Sequence, residues 1–148
     1  MAVRSEIADI LLVEDNPGDV RLIREAFKDS KVPNRLHVAE NGVEALKFLR
    51  YQGGRAGVPR PDLILLDWNL PKKSGRELLE EVKSDSDLRT IPIVVLTTSK
   101  SEEDIVKAYG LHANCYITKP VDFVNLSEVL KSIEDFWLTV VKLPPKTP

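Results

Sequence analysis

The chain alternates short apolar runs with longer stretches whose apolar residues recur every three or four positions. Each apolar run is of strand length and is bounded by turn-forming residues, which predicts five strands. The runs 63–66 and 93–96 are apolar at every position, as in strands that are covered on both faces of a parallel sheet. The five runs are 10–13, 35–39, 63–66, 93–96 and 115–118.

Each of the five runs is followed by an amphipathic stretch that predicts a helix. Asn16 and Pro17 are typical of a helix start, and Gly110 is typical of a left-handed helix end. Strands that alternate with helices predict an α/β fold, with a doubly wound five-stranded parallel sheet between two helical layers. The amphipathic stretches lie at 20–27, 43–49, 78–82, 102–109 and 126–137.

A length of 148 residues fits one domain, which we place at residues 9–138. Residues 1–8 then form an N-terminal extension and residues 139–148 a C-terminal tail. The Gly-rich segment 52–60 reads as a long loop. No segment reads as a linker to an output domain, so we expect the protein to act through contacts with other proteins.

Composition narrows the function classes. The chain has 21 basic and 23 acidic residues and a net charge of −2, which excludes the strongly basic surface of most nucleic-acid-binding domains. It has no apolar run of about 18 residues that could span a bilayer, and residues 1–9 do not resemble a signal peptide. A single cysteine, Cys115, excludes an intramolecular disulfide. We therefore expect a cytoplasmic protein without a nucleic-acid or membrane partner.

Polar residues that core packing does not need stand directly after the first, third, fourth and fifth predicted strands. Glu14 and Asp15 follow the first strand, Asp67 the third, Thr97 the fourth and Lys119 the fifth. Ligands of open parallel α/β sheets bind outside the carboxyl ends of the strands, near the point where strand order reverses. These scattered residues are therefore expected to meet in one crevice.

The predicted crevice has the chemistry of phosphoryl transfer. Three carboxylates so close together will not all stay ionised without a cation, and oxygen ligands without histidine or cysteine suit Mg²⁺. Lys119 and Thr97 supply the positive charge and the hydroxyl donor that a phosphoryl group requires. An aspartate can act as the nucleophile and form an acyl phosphate, and Asp67 is the best-placed candidate.

Each residue taken alone has a simpler interpretation. Glu14 and Asp15 could belong to a turn before a helix, and Asp67 could be an ordinary loop residue. Thr97 could cap the next helix, although Ser99 or Ser101 would do so better, and Lys119 could be a plain strand exit. The occurrence of all four at strand ends favours a functional site.

Together, Glu14-Asp15, the segment 67–75, Thr97 and Lys119-Pro120 resemble the receiver domains of two-component response regulators, and the likeness extends over about residues 8–138. The resemblance implies a flavodoxin-like (βα)5 fold. It also implies that Asp67 accepts a phosphoryl group from the phosphohistidine of a sensor kinase. Such a protein is a phosphoacceptor that catalyses its own phosphorylation and dephosphorylation, and it can serve as a phosphorelay intermediate.

The resemblance also implies roles for the neighbours of Asp67. Asp15 and Asp67 would bind Mg²⁺ directly together with the backbone carbonyl of Asn69, while Glu14 would act mainly through water. Lys119 would pair with the phosphoryl group or with Asp67, and its bond to Pro120 is expected to be cis.

A switch is implied as well. Thr97 would move towards the phosphoryl group, and Tyr116 would rotate into the space that it leaves, which would change the surface around the fourth helix and fifth strand. Asn69 and Thr98 are expected to tune the lifetime of the phosphoryl group. Trp68 replaces the family's usual aliphatic residue, and it could shield the site, contact the kinase or simply pack.

A narrower likeness concerns three segments. The Gly-rich loop, the run 70–77 and the ending 136–144 resemble the single-domain regulators that are paired with cyanobacterial and bacterial phytochromes. The kinase partner would then be a phytochrome-type red-light sensor.

The C-terminal segment has too many apolar residues, on too many faces, for one helix end. Phe136, Trp137 and Leu138 therefore indicate an interface, and we expect a homodimer through the fourth helix, fifth strand and fifth helix. The alternative is that the tail folds back on its own domain.

Three other functions fit parts of the pattern. A haloacid-dehalogenase-type phosphatase needs a second aspartate at the position of Asn69 and its nucleophile on the first strand. A constitutive adaptor would not need the complete set Asp15, Asp67, Thr97 and Lys119. A flavin carrier of the flavodoxin type would need a Ser/Thr-rich phosphate loop after the first strand, and the chain has none there.

Overall fold

A computed structural model describes residues 7–50, 60–120 and 122–144. The predicted alternation of strands and helices is confirmed, and the last helix continues into one π-helical turn, Phe136–Val140. The predicted loop at 52–60 lies outside the described residues except for Arg60. The elements are β1 (Ala8–Val13), α1 (Pro17–Lys28), β2 (Asn34–Ala39), α2 (Gly42–Arg50), β3 (Leu63–Leu66), α3 (Gly75–Ser84), β4 (Ile93–Thr97), α4 (Glu102–Gly110), β5 (Cys115–Thr118) and α5 (Phe123–Asp135).

The five strands form one parallel sheet in the order β2-β1-β3-β4-β5. The register places Val13 beside Leu66 and Leu66 beside Val95, so that the carboxyl ends of the central strands are level. The chain reverses its direction of winding between β1 and β3. This is the point at which ligands of doubly wound sheets bind, and it is where the predicted crevice was expected.

The core consists of two layers, one on each face of the sheet. Helices α2, α3 and α4 cover the face to which Ile64 and Leu66 point, and α1 and α5 cover the face of Leu63 and Leu65. All four residues of β3 are fully buried, which explains why this strand has no polar position. Among the described residues, no helix combines the length and apolar character needed to cross a membrane.

Side chains cap several helices at the ligand-binding edge of the sheet. Asn16 accepts a hydrogen bond from the Asp19 backbone N–H at the start of α1, with Pro17 in the first helical position as predicted. Ser74 and Glu77 form a reciprocal capping box on α3, and Ser101 caps α4. These caps fix where each helix begins relative to the strand before it.

The prediction for the end of α4 is wrong. Gly110 is still helical, and His112 has the left-handed backbone with φ 72°. The helix continues because the Leu111 N–H still reaches the carbonyl of Lys107, which delays the reversal of the chain by two residues.

Gly75 fixes the start of α3 against the acceptor strand. Its N–H donates to the carbonyl of Trp68 (3.1 Å), and a Cβ at this position would collide with the Asp67 carbonyl oxygen and lie 2.8 Å from the Trp68 Cα. Only a residue without a side chain fits there, because the neighbouring atoms belong to the backbone and cannot rotate away.

The end of the chain folds back in part. Leu138 is 5% exposed and packs with Leu130 and Ile133 of α5, and Leu143 packs against the same cluster. The prediction that Leu138 is a dimer contact is therefore wrong, because its side chain is already buried in its own domain. Phe136, in contrast, is 51% exposed.

Glu134 is an unusual acid in the groove between α1 and α5. It is 7% exposed, and its Oε1 has no hydrogen-bond partner among the described residues. Burial raises the pKa of Glu134 to about 7, and the nearby charges of Asp135 and Asp29 also raise it. A hydrogen bond from Ser30 acts in the opposite direction and lowers the pKa. In the folded protein the neutral form of this carboxyl group is therefore favoured up to about pH 7.

We predict that Glu134→Gln removes a pH-dependent cost of folding. The folded protein binds a proton here between pH 4.5 and about 7 that the unfolded chain has released, so wild-type stability falls as pH rises through this window. The stability advantage of the variant should grow from less than about 1 kcal/mol near pH 5 to as much as about 3 kcal/mol at pH 8. Urea unfolding across this range measures the difference. The control is Glu128→Gln, which changes an exposed acid of the same helix and should leave the dependence of unfolding free energy on pH as in wild type. A Glu134→Gln dependence parallel to that of wild type would contradict the raised pKa of Glu134.

We also predict that Gly75→Ala destabilises the fold by about 1–3 kcal/mol, because the added methyl group must displace backbone beside Asp67. Gly110→Ala is the matched control, since nothing lies within 4 Å of its Cβ position. In that helix the change should leave stability equal or raise it by up to about 1 kcal/mol. Thermal unfolding compares the two variants, and equal melting temperatures would refute the close-approach explanation.

Candidate functional site

Three acidic side chains meet at the carboxyl edge of the sheet. Glu14, Asp15 and Asp67 each offer a carboxylate oxygen, and these oxygens lie within 4.8 Å of one another. The sheet brings them together, because the Asp67 N–H donates to the carbonyl of Val13 (3.1 Å) and extends the ladder between β1 and β3. Glu14 is buried, Asp67 is half-buried and Asp15 is exposed.

Glu14 is held in place by two hydrogen bonds. Its Oε1 accepts from the Lys119 ammonium (2.8 Å), and its Oε2 accepts from the Asn16 N–H (3.1 Å). Burial raises the pKa of Glu14 to about 7 although Lys119 opposes the shift, and the charge of Asp67 adds to it. Both Glu14 oxygens are therefore engaged within the protein, whereas Asp15 is open to solvent.

Lys119 is the internal cation of the site. Its side chain is 5% exposed, and its ammonium donates to Glu14 Oε1 and to Asp19 Oδ2, both at 2.8 Å. Burial alone would lower the pKa of Lys119, but the hydrogen bonds to Asp19 and Glu14 outweigh it and raise the pKa. The expected pairing with Asp67 is not the one observed: among the described residues the lysine's ion pairs are to Glu14 and Asp19.

Asp19 is the residue of this site that the sequence analysis missed. It lies in the first turn of α1, where a carboxylate is common because it complements the helix dipole. The signal that could have identified it is its position, since α1 begins at the same edge of the sheet at which β1 ends. An acid in that first turn is within reach of any lysine that follows β5.

The bond between Lys119 and Pro120 is trans, so the expected cis bond is wrong for this structure; no peptide bond in the described part of the chain is cis. The lysine reaches the site from a regular strand end instead. Its N–H donates to the Thr97 carbonyl at 2.6 Å, which continues the pairing of β5 with β4.

Thr97 ends β4 and is completely buried. Its hydroxyl oxygen accepts from the Ser99 N–H at 3.4 Å. The next residue, Thr98, is exposed, as is Asn69, whose N–H donates to Asp67 Oδ1 at 3.3 Å. Both residues are thus exposed close in sequence to Asp67 and Thr97, and their control of the phosphoryl lifetime stays a prediction.

Two aromatic residues lie close to this edge. Tyr116 is half-buried, and its hydroxyl donates to the Ser99 carbonyl at 2.9 Å, which ties β5 to the segment after Thr97. Trp68 is 5% exposed and belongs to the core cluster under α3. Of the three interpretations offered for Trp68, packing is the one that the structure supports.

The donor set fits a hard divalent cation. The cluster offers carboxylate oxygens alone, which suits Mg²⁺ or Mn²⁺ and not a thiolate- or imidazole-bound metal. Asp15 and Asp67 have oxygens available for direct ligation. Glu14, with both oxygens engaged, is suited to act through water.

Comparison with known proteins agrees with this geometry. The family described as response regulator receiver domain matches residues 10–131. Response regulator Rcp1 of Synechocystis sp. is 50% identical over 135 residues, which cover 91% of this chain and 92% of that protein.

Two solved structures are similar throughout. The phosphorylated cyanobacterial phytochrome response regulator RcpA superposes with a TM-score of 0.91 at 51% identity, and the match covers 95% of this chain and all of that one (100%). The Mn²⁺-bound form of response regulator Rcp1 gives a TM-score of 0.89 at 48% identity, covering 93% and 99%.

The family match spans most of the chain, and its residues include the acidic cluster, Thr97 and Lys119. The fold, the strand order and the position of the cluster agree with it. This chain therefore belongs to the family of response regulator receiver domains.

Proposed function

We propose that this response regulator accepts a phosphoryl group on Asp67 from a sensor histidine kinase in a Mg²⁺-dependent reaction. The observation that carries the proposal is the cluster of Glu14, Asp15 and Asp67 with its oxygens within 4.8 Å, next to the buried ammonium of Lys119. An isolated structural aspartate would need neither the two further acids nor a buried lysine.

The transfer uses the side chains of this edge. A carboxylate oxygen of Asp67 attacks the phosphorus of phosphohistidine; the new P–O bond forms as the P–N bond breaks, and the electron pair of that bond returns to the imidazole nitrogen. Lys119 and the hydroxyl of Thr97 offer donors to the phosphoryl oxygens. Mg²⁺, held by Asp15, Asp67 and the carbonyl of Asn69, would supply the positive charge that lets two anions approach.

We expect Asp67→Asn to abolish phosphorylation, because an amide oxygen is too weak a nucleophile to form the acyl phosphate. The measurement is incorporation of label from a small acyl-phosphate donor with Mg²⁺, and the variant should fall to background. The control is Asp87→Asn, which removes an exposed acid of the segment between α3 and β4 and should leave labelling unchanged. Equal labelling of wild type and Asp67→Asn would end the assignment of the acceptor.

The same residues would govern loss of the phosphoryl group. Asn69 and Thr98 are both exposed and stand after Asp67 and Thr97 respectively, where their side chains can admit or exclude the attacking water. We propose that these two positions set the phosphoryl lifetime and that the protein catalyses both steps on itself.

A surface switch would follow phosphorylation. Thr97 would move towards the phosphoryl group, and the segment that begins with Ser99 would move with it. Tyr116 is already bonded to that segment through the Ser99 carbonyl, which supports its role as the side chain that changes orientation. The change would alter the face formed by α4 and β5.

We propose a kinase of the phytochrome type, on the basis of the similarity to a cyanobacterial phytochrome response regulator over 95% of this chain. The protein would act in the cytoplasm, without a nucleic-acid or membrane partner. Its receiver unit would comprise residues 9–138, between an N-terminal extension of residues 1–8 and a tail of residues 139–148.

We further propose a homodimer through α4, β5 and α5. The supporting feature is a groove of about 690 Å³ between β5 and α5, lined by apolar residues that include Ile117, Val129 and Trp137. Phe136 stands at its rim, 51% exposed, and packs edge-on against Trp137. On α4, Val106 is 71% exposed. Exposed apolar surface of this kind is typical of an interface.

Sedimentation velocity tests the dimer. Wild type should sediment as a dimer, and Phe136→Glu should sediment as a monomer because it places a charge in the apolar contact. Phe123→Glu is the matched control: Phe123 is 61% exposed but lines the groove between α1 and α5, away from the proposed face. A monomeric wild type, or equal effects of the two changes, would refute this interface.

A further inference from the structure

Lys119 has two partners that differ in kind. Glu14 belongs to the acidic cluster that suits a cation, and its Oε1 accepts a hydrogen bond from the Lys119 ammonium. Asp19 is not part of the cluster, yet it holds the ammonium at the same distance of 2.8 Å. The site thus contains a fourth acid whose only ion pair in the described part of the chain is to Lys119.

Asp19 is built into this position. Its backbone N–H donates to the Asn16 side chain at the start of α1, which fixes the first helical turn against the end of β1. Its side chain is 27% exposed, whereas that of Lys119 is 5% exposed. The acid is therefore anchored at the surface of the site, and the long side chain of Lys119 extends to it through the interior.

The pairing has an electrostatic consequence for Asp67. The ammonium of Lys119 is close enough to Asp67 for the carboxylate to contribute to the raised pKa of the lysine, but its hydrogen bonds go elsewhere. A lysine released from Asp19 would keep its hydrogen bond to Glu14, and the donor freed from Asp19 could turn to Asp67, whose charge already acts on the ammonium. It would then occupy an oxygen that the cation requires and would repel the cation as well.

We propose that Asp19 is a positioning residue: its carboxylate holds the Lys119 ammonium away from Asp67 in the unphosphorylated protein and so keeps the acceptor free for the divalent cation. When Asp67 carries a phosphoryl group, Lys119 exchanges Asp19 for the phosphoryl oxygens. This inference rests on the proposed metal site and adds to it the residue that sets the position of the Lys119 ammonium.

A double-mutant cycle on metal affinity tests this role without phosphorylation. Free Mn²⁺ is measured by electron paramagnetic resonance during titration of the full chain, which gives the dissociation constant directly. Asp19→Asn should weaken Mn²⁺ binding by about fivefold or more when Lys119 is present. In the Lys119→Gln background, Asp19→Asn should change the Mn²⁺ dissociation constant by less than about twofold, because there it removes only a remote charge.

Two further variants separate positioning from other effects. Asp19→Glu retains a carboxylate at the start of α1 and should restore the wild-type Mn²⁺ affinity to within about twofold. Glu25→Gln removes an exposed acid from the same helix, away from Lys119, and should leave the affinity unchanged. Thermal unfolding of every variant reports on its fold independently of metal.

The outcomes are distinct. An equal effect of Asp19→Asn in both backgrounds, or none in either, would refute the positioning role while the metal site stands. Failure of wild type to bind Mn²⁺ would overturn the metal site and this inference with it. A large effect confined to the Lys119 background would establish that Asp19 acts through the lysine.

Discussion

The arrangement of the site depends on one physical constraint, the repulsion between like charges. At an effective dielectric constant of about 20, two like charges about 4 Å apart repel by about 4 kcal/mol. Glu14, Asp15 and Asp67 have oxygens within 4.8 Å, so all three can stay ionised only with a partner of opposite sign. The protein supplies one such charge itself, the buried ammonium of Lys119, and leaves a place for a second.

The sheet makes this arrangement rigid. The three acids follow two adjacent central strands, whose register is fixed by a ladder of hydrogen bonds that includes the Asp67 N–H and the Val13 carbonyl. Gly75 then fixes α3 against the backbone of Asp67, so the acceptor is supported from the strand before it and from the helix after it. The strand before Asp67 and the helix after it are both held by backbone contacts, which no change of side-chain rotamer can relax. The polar residues at this edge are therefore held close together.

Much of this could be predicted from the sequence, and the failures have physical causes. Apolar runs located the strands, and the polar residue after each run located the site, because parallel strands present their carboxyl ends at one edge. The sequence did not indicate which acid Lys119 would choose, since Asp19 reads as an ordinary helix-start carboxylate. The prediction of a dimer contact at Leu138 was wrong, because an apolar pattern shows that a residue needs to be covered but not which surface covers it.

The two tryptophans of the chain lie in different surroundings. Trp68 follows Asp67 directly and is buried in the core, whereas Trp137 is half-buried in the groove beside β5, edge-on to Phe136. Indole emission depends on the polarity around the ring and on nearby quenchers. Tryptophan fluorescence of this protein therefore comes from two different surroundings, the core beside the acceptor strand and the groove beside β5, and removing either indole isolates the other.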